Sequence, residues 1–128
     1  MDWQSFLELS NDSLDDLRSV GYLYIKQGCF DIALDFFNAL LILTPGNFYD
    51  THTLGSLYLQ KGKYQEALNY LDKAIEIDPN NLLVKLNKAR ALFSLGYRTE
   101  GIEQARVVSN SKNAKLANQA TALINAYS

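Results

Sequence analysis

Apolar and small residues recur along this chain at three- and four-residue steps, in segments stopped by glycine or proline. Leu54, Gly55, Leu57, Tyr58 and Leu59 fall on one helical face. A second set follows at Tyr64, Ala67, Leu68, Leu71, Ala74 and Ile75, again at helical spacing. Between them stands Gly62, where a helix end needs a positive φ and glycine adopts it at least cost. Pro79 ends the second helix and opens the turn DPNN at 78–81. The pattern predicts an antiparallel helix pair. Gly55 and the alanines let its members approach closely, and Tyr58 and Leu71 fill the gaps around them.

The same pattern occurs one unit earlier. A step of 34 residues carries Gly21 to Gly55, Tyr24 to Tyr58, Gly28 to Gly62, Ala33 to Ala67 and Pro45 to Pro79. Residues 14–47 and 48–81 share nine identities, well above chance, so the repeat is real. In the first copy, Ser13 and Asp16 stand at capping-box spacing, Gly28 stops the first helix, and 31–43 form the second. A further step reaches Ala89, Leu92 and Gly96, which fit, then Arg98, Gly101 and Asn113, which fit poorly. Residues 82–112 therefore read as a degenerate third copy. A last helix follows, with Leu116, Ala120, Leu123, Ile124 and Tyr127 on one side, suited to capping the open end of the stack. No stretch alternates with period two. The expected fold is all-α: a single domain over 1–128, with an N-terminal segment at 1–13, three helix pairs and a capping helix at 113–128.

Composition narrows the function classes. The net charge of −2 gives no basic footprint for nucleic acid. A single cysteine, Cys29, excludes an internal disulfide framework and suits a reducing compartment. The N-terminus MDWQSFLELS has an acidic residue where a signal peptide carries basic ones, and the apolar run 39–43 is far too short to span a bilayer. These features read as a cytosolic chain with no membrane insertion. His52 is the only histidine, so metal sites and His-assisted nucleophiles have little to draw on. Cys29 reads as a small half-buried turn residue. The glycines follow the repeat rather than a phosphate loop, and the carboxylates read as helix starts and solvated faces. No enzyme, metal or cofactor is expected.

The pattern G-x2-Y-x3-G-x4-A…P at period 34 resembles the tetratricopeptide repeat. Gly21, Tyr24, Gly28, Ala33, Phe37 and Pro45 take the signature positions in the first copy. Gly55, Tyr58, Gly62, Tyr64, Ala67, Ala74 and Pro79 take them in the second. Leu17 and Thr51 replace the signature tryptophan. The resemblance implies a right-handed superhelix whose concave face is lined by the first helix of each pair. Its frame sets Asp15, Arg18, Tyr22 and Ile25, then Tyr49, His52, Ser56 and Leu59, then Leu86, Arg90 and Phe93 in one inward row. Six of these eleven are aromatic or aliphatic, enough for an apolar binding patch. The other reading of the row is that the C-terminal helix folds back over part of it. The basic clamp that such repeats use for the carboxylate tails of heat-shock chaperones is missing: Tyr22 stands at one position, and Leu83 or Asn87 at another.

The segment from Ser10 onward, with LNKARALFSLGYRTEGIEQA in its third unit, is similar to the small class II chaperones of bacterial type III secretion. That resemblance implies a cytosolic bacterial protein holding an extended apolar segment of a secretion substrate, such as a translocator or needle subunit, in its groove. Tyr22, Ile25, Tyr49, Leu59, Leu86 and Phe93 would form the pockets, with Arg18, His52 and Arg90 fixing register. Arg18 departs from the family, which often has an aromatic residue there. The segment before the first repeat is also shorter than the helix by which many relatives dimerise. Its stripe of Trp3, Phe6, Leu7 and Leu9 could pair two subunits as a homodimer or fold onto the first repeat as a cap. The rival reading is a structural scaffold or adaptor that docks an assembly through convex positions such as Tyr70, Lys73 and Arg106.

Overall fold

In the computed structural model, which describes residues 11–128, the periodic segments are seven helices. They are α1 (Asn11–Lys26), α2 (Phe30–Leu43), α3 (Phe48–Gln60), α4 (Tyr64–Ile77), α5 (Leu82–Ser94), α6 (Arg98–Ser109) and α7 (Ala114–Tyr127). No strand occurs among the described residues. The stripe of Trp3, Phe6, Leu7 and Leu9 lies outside them.

The first helix of every pair ends alike. Gly28, Gly62 and Gly96 take φ of 77°, 76° and 88°. At each, the glycine N–H bonds the carbonyl three residues back, and the next N–H bonds the carbonyl five back, as in Cys29 to Tyr24 at 2.9 Å. These two bonds satisfy the carbonyls that a helix end would leave bare. The following pair starts on an asparagine: Asn47, Asn81 and Asn113 accept from the backbone N–H of Asp50, Val84 and Leu116 at 3.0, 3.0 and 3.1 Å. Asn113 stands two residues ahead of its 34-residue register, because α6 has 12 residues where α2 and α4 have 14. The capping helix α7 is thus the opening helix of a further pair, with Ala120 fully buried against the third.

Within each pair, one facing position carries no side chain. A Cβ added at Gly21 would lie 2.8 Å from the Phe37 ring, and one at Gly55 would lie 2.8 Å from Leu71. The third pair inverts the arrangement. Ala89 replaces the glycine on the first helix, Ala105 replaces the large residue on the second, and Gly101 of α6 now receives Phe93 from α5, with a Cβ contact of 2.8 Å. The core follows the stack as successive clusters, the first with Leu14, Phe37, Leu40 and Leu54, the next with Leu71 and Val84, and a further one with Leu86, Val108 and Ala120. The helix α5 also touches both α3 and α7, so the three form an inner layer.

Gly55→Val drives two methyls into Leu71 and should lower unfolding free energy by about 1–3 kcal/mol in urea melts. Gly28→Ala meets nothing within 4 Å. It should cost only the left-handed backbone penalty, about 1–2 kcal/mol.

Candidate concave site

The inward row divides into a salt-bridged end, an open middle and a closed end. At the first, Arg18 of α1 grips Asp50 of α3 through two parallel bonds, Nε to Oδ1 at 2.9 Å and Nη2 to Oδ2 at 2.8 Å. Its remaining donors reach Asp15 at 3.0 Å and Thr44 Oγ1 at 3.2 Å. The Asp50 side chain is wholly buried, and the paired guanidinium is pushed above its ordinary pKa, chiefly by the hydrogen bond to that carboxylate. Arg18 thus lies on the expected helix face, but its charge is engaged in joining the first two pairs. The register role expected for it is replaced by a structural one.

In the open middle, Tyr22, Ile25, Phe30, His52, Thr53, Ser56, Leu57 and Gln60 line a pocket of about 470 Å³ between α1 and α3. Its lining is mostly apolar, and its volume falls within the range of ligand clefts. The Tyr22 ring packs on Phe37 with centroids 5.1 Å apart, and its hydroxyl reaches Thr53 Oγ1 at 3.4 Å. Tyr49 is 68% exposed at the rim, edge-on to Phe48. Four expected residues (Tyr22, Ile25, His52 and Ser56) therefore meet in one cavity.

A step of 34 residues along the chain reaches a second, smaller pocket of about 280 Å³. Leu59, Tyr64, Arg90 and Ser94 stand there in the places of Ile25, Phe30, Ser56 and Gln60. Leu123 and Tyr127 of α7 complete its wall. Phe30 and Tyr64, absent from the expected row, could have been found by asking which positions one repeat apart flank the inner helices. No such signal marks Leu123 and Tyr127.

A hydrogen-bonded chain crosses the floor between the two pockets. Arg90 Nη1 donates to Asn87 Oδ1 at 2.9 Å, which turns the Asn87 amide N–H toward His52 Nε2 at 3.3 Å, with a longer contact to Ser56 Oγ at 3.5 Å. His52 Nε2 must then accept, so the ring is neutral, and burial lowers its pKa below the ordinary value.

Two members of the row are not on open surface. Leu86 is fully buried against Val108 and Ala120, because α7 packs on α5 as a fourth pair would. Phe93 is 4% exposed: the slot at Gly101 draws its ring toward α6, and Tyr127 stacks on it at 4.4 Å and 7°. The C-terminal helix thus covers Leu86 and Phe93 of the third copy, while Arg90 stays on the wall of the second pocket. On the convex side, Tyr70 stacks on Tyr58 at 5.5 Å and carries Lys73 above its ring. Among the described residues, no three His, Cys, Asp or Glu side chains are grouped to hold a metal ion, and no helix is long and apolar enough to cross a membrane.

Asp50→Ala removes the bidentate partner of a part-buried guanidinium, leaving it only Thr44 and the exposed Asp15, and should cost about 3 kcal/mol, while the double variant Arg18→Met, Asp50→Leu should recover most of that loss in denaturant melts. For His52 the unfolded chain binds its proton near pH 6.5, and the folded chain only at lower pH. Stability from this group is therefore complete above about pH 6.5 and declines as the pH falls toward the folded-state pKa. His52→Gln should flatten that part of a stability–pH curve.

A tetratricopeptide repeat family model matches residues 52–81. No curated protein sequence matches the chain. Among solved structures, the Yersinia enterocolitica type III secretion chaperone SycD, in complex with a peptide of the translocator YopD, aligns with a TM-score of 0.84. It is 20% identical and covers 94% of this chain and 95% of that one. PcrH from Pseudomonas aeruginosa aligns at 0.80 with 26% identity, over 92% of this chain and 93% of its own. PcrH in complex with the chaperone binding region of PopD aligns at 0.82 with 26% identity, over 92% of each chain. The chain shares its superhelical fold with SycD and PcrH, and one of its helix pairs matches the tetratricopeptide repeat.

Proposed function

We propose that this chain is a non-enzymatic chaperone of the bacterial cytoplasm that holds an extended apolar segment of a type III secretion translocator in its concave groove. The pocket between α1 and α3, apolar, open to solvent and walled by two adjacent helix pairs, carries this reading. The complexes of SycD with a YopD peptide and of PcrH with the chaperone binding region of PopD support the class of ligand.

The geometry suggests a division of labour along the groove. An aliphatic or aromatic anchor enters the larger pocket against Tyr22, Ile25 and Phe30. Tyr49 closes over it from the rim, and a second, smaller side chain lies by Leu59 and Tyr64. Arg90 and Asn87 offer polar contacts to the backbone that runs between them. Each buried apolar side chain contributes roughly 1.5–3 kcal/mol, so two or three anchors offset ordering costs at micromolar affinity. Docking through the convex side finds less support, since Tyr70 is engaged with Tyr58 and Lys73.

The test is calorimetric titration with a synthetic peptide covering the chaperone-binding segment of a translocator from the same bacterium. Ser56→Trp fills the larger pocket without removing a core residue and should abolish measurable binding. Tyr49→Ala, at an exposed position, should weaken binding about tenfold. Wild-type affinity in both variants, with unchanged circular dichroism, would overturn the groove reading.

A further inference from the structure

One repeat position closes the back of the first two helix pairs and leaves the third open. In the first pair Tyr24 of α1 meets Phe36 of α2, ring centroids 5.5 Å apart. One repeat later, Tyr58 of α3 stacks on Tyr70 of α4 at 5.5 Å and 13°. The same two positions in the third pair hold Leu92 and Gln104, and neither carries a ring. A cleft of about 250 Å³ stands there, between the second helices α4 and α6 and over α5. Its counterpart one repeat earlier is filled: Tyr58 and Tyr70 pack on Leu34 and the fully buried Leu54. In the cleft, Leu68 takes the place of Leu34, and Lys88 that of Leu54. Lys88 is engaged with Asp72, Nζ to Oδ1 at 2.8 Å. Glu100 and Glu103, both exposed, complete the rim, and neither has an ion-pair partner among the described residues.

We propose that this cleft docks a second protein segment, one that presents an aromatic side chain flanked by lysine or arginine. Two independent features select that chemistry. The first is shape: the leucine floor lies bare where the repeat elsewhere seats a pair of rings, so an incoming ring restores the missing contact. The second is charge: Asp72, Glu100 and Glu103 face Lys88 alone, an excess of two negative charges that equals the net charge of the entire chain. A cleft of one sign with apolar walls attracts cations and disfavours acidic partners. The ring enters between Leu68 and Leu92, and the basic flanks pair with Glu100 and Glu103. The Gln104 amide offers a donor and an acceptor to the segment's backbone. Because second helices form its walls, the cleft faces away from the concave groove, and both surfaces can be occupied together.

The test is amide chemical-shift mapping of the isotope-labelled full chain with a synthetic peptide carrying a single phenylalanine between lysine pairs. The expected result is saturable shifts at Leu68, Leu92 and the Gln104 side-chain amide, with affinity falling several-fold at high salt. Replacing the phenylalanine by alanine should lower affinity about tenfold. Gln104→Tyr puts back the repeat's own ring and fills the cleft, while Glu103→Lys reverses an exposed rim charge. Each should remove the saturable shifts and leave circular dichroism unchanged. Absence of saturable shifts at the cleft, or shifts confined to the concave pocket, would overturn the proposal. Equal affinity for the alanine peptide would do the same, by reducing the contact to charge alone, as would unaltered binding by Gln104→Tyr. A dimer mass in sedimentation equilibrium that Gln104→Tyr abolishes would overturn it too, by assigning the cleft to a second copy of the chain.

Discussion

Each helix pair brings two backbones close enough that one facing position has no room for a side chain. Gly21 against Phe37 and Gly55 against Leu71 use the same solution, a glycine on the first helix under a large residue on the second. With the pairs fixed at that separation, the first helices line up on one side and their remaining faces become the groove. The third pair reaches the same closeness by the opposite route. Gly101 on the second helix admits Phe93 from the first. A large side chain that would otherwise face the groove is thereby committed to the interior.

That inversion shapes the site. Ile25, Leu59 and Phe93 hold the same repeat position, yet the first two line pockets and the third is buried under Tyr127. The groove is therefore graded: an apolar pocket of about 470 Å³ at the junction of pairs one and two, then its repeat image of about 280 Å³ narrowed by α7. A segment lying along it meets its largest cavity early and runs out of open surface at the third pair.

The fold was legible because its determinants are local or periodic. Gly28, Gly62 and Gly96 end helices at fixed spacing, and the 34-residue step fixed each pair's frame before any contact was known. The candidate site was legible only in part. The frame placed Tyr22, Ile25, His52 and Ser56 on one wall, because facing inward depends on helical phase alone. It could not show that Arg18 is engaged, since its partner Asp50 lies 32 residues on and their pairing depends on how two pairs stack. Leu86 and Phe93 were misplaced for a related reason. Their exposure depends on α7, whose sequence carries no mark of which groove positions it covers. The shorter α6, which brings Asn113 two residues early and swings α7 into place as a fourth opening helix, is the one trace of it.

Charge in this groove supports architecture more than recognition. Asp50 has no exposed surface and its carboxylate is held by a bidentate guanidinium, with the Thr44 hydroxyl beside it, so removing the guanidinium leaves a buried charge unpaired. Arg90 is committed in a milder way, through Asn87 to a neutral His52. Because that chain needs a lone pair on His52 Nε2, protonating the ring and keeping Asn87 oriented are mutually exclusive. A ligand seated over Ser56 removes further water from the imidazole and strengthens the same exclusion. On the proposed reading of the groove, occupancy and histidine protonation would oppose each other, and an apolar segment would bind best to the neutral state that the polar floor favours.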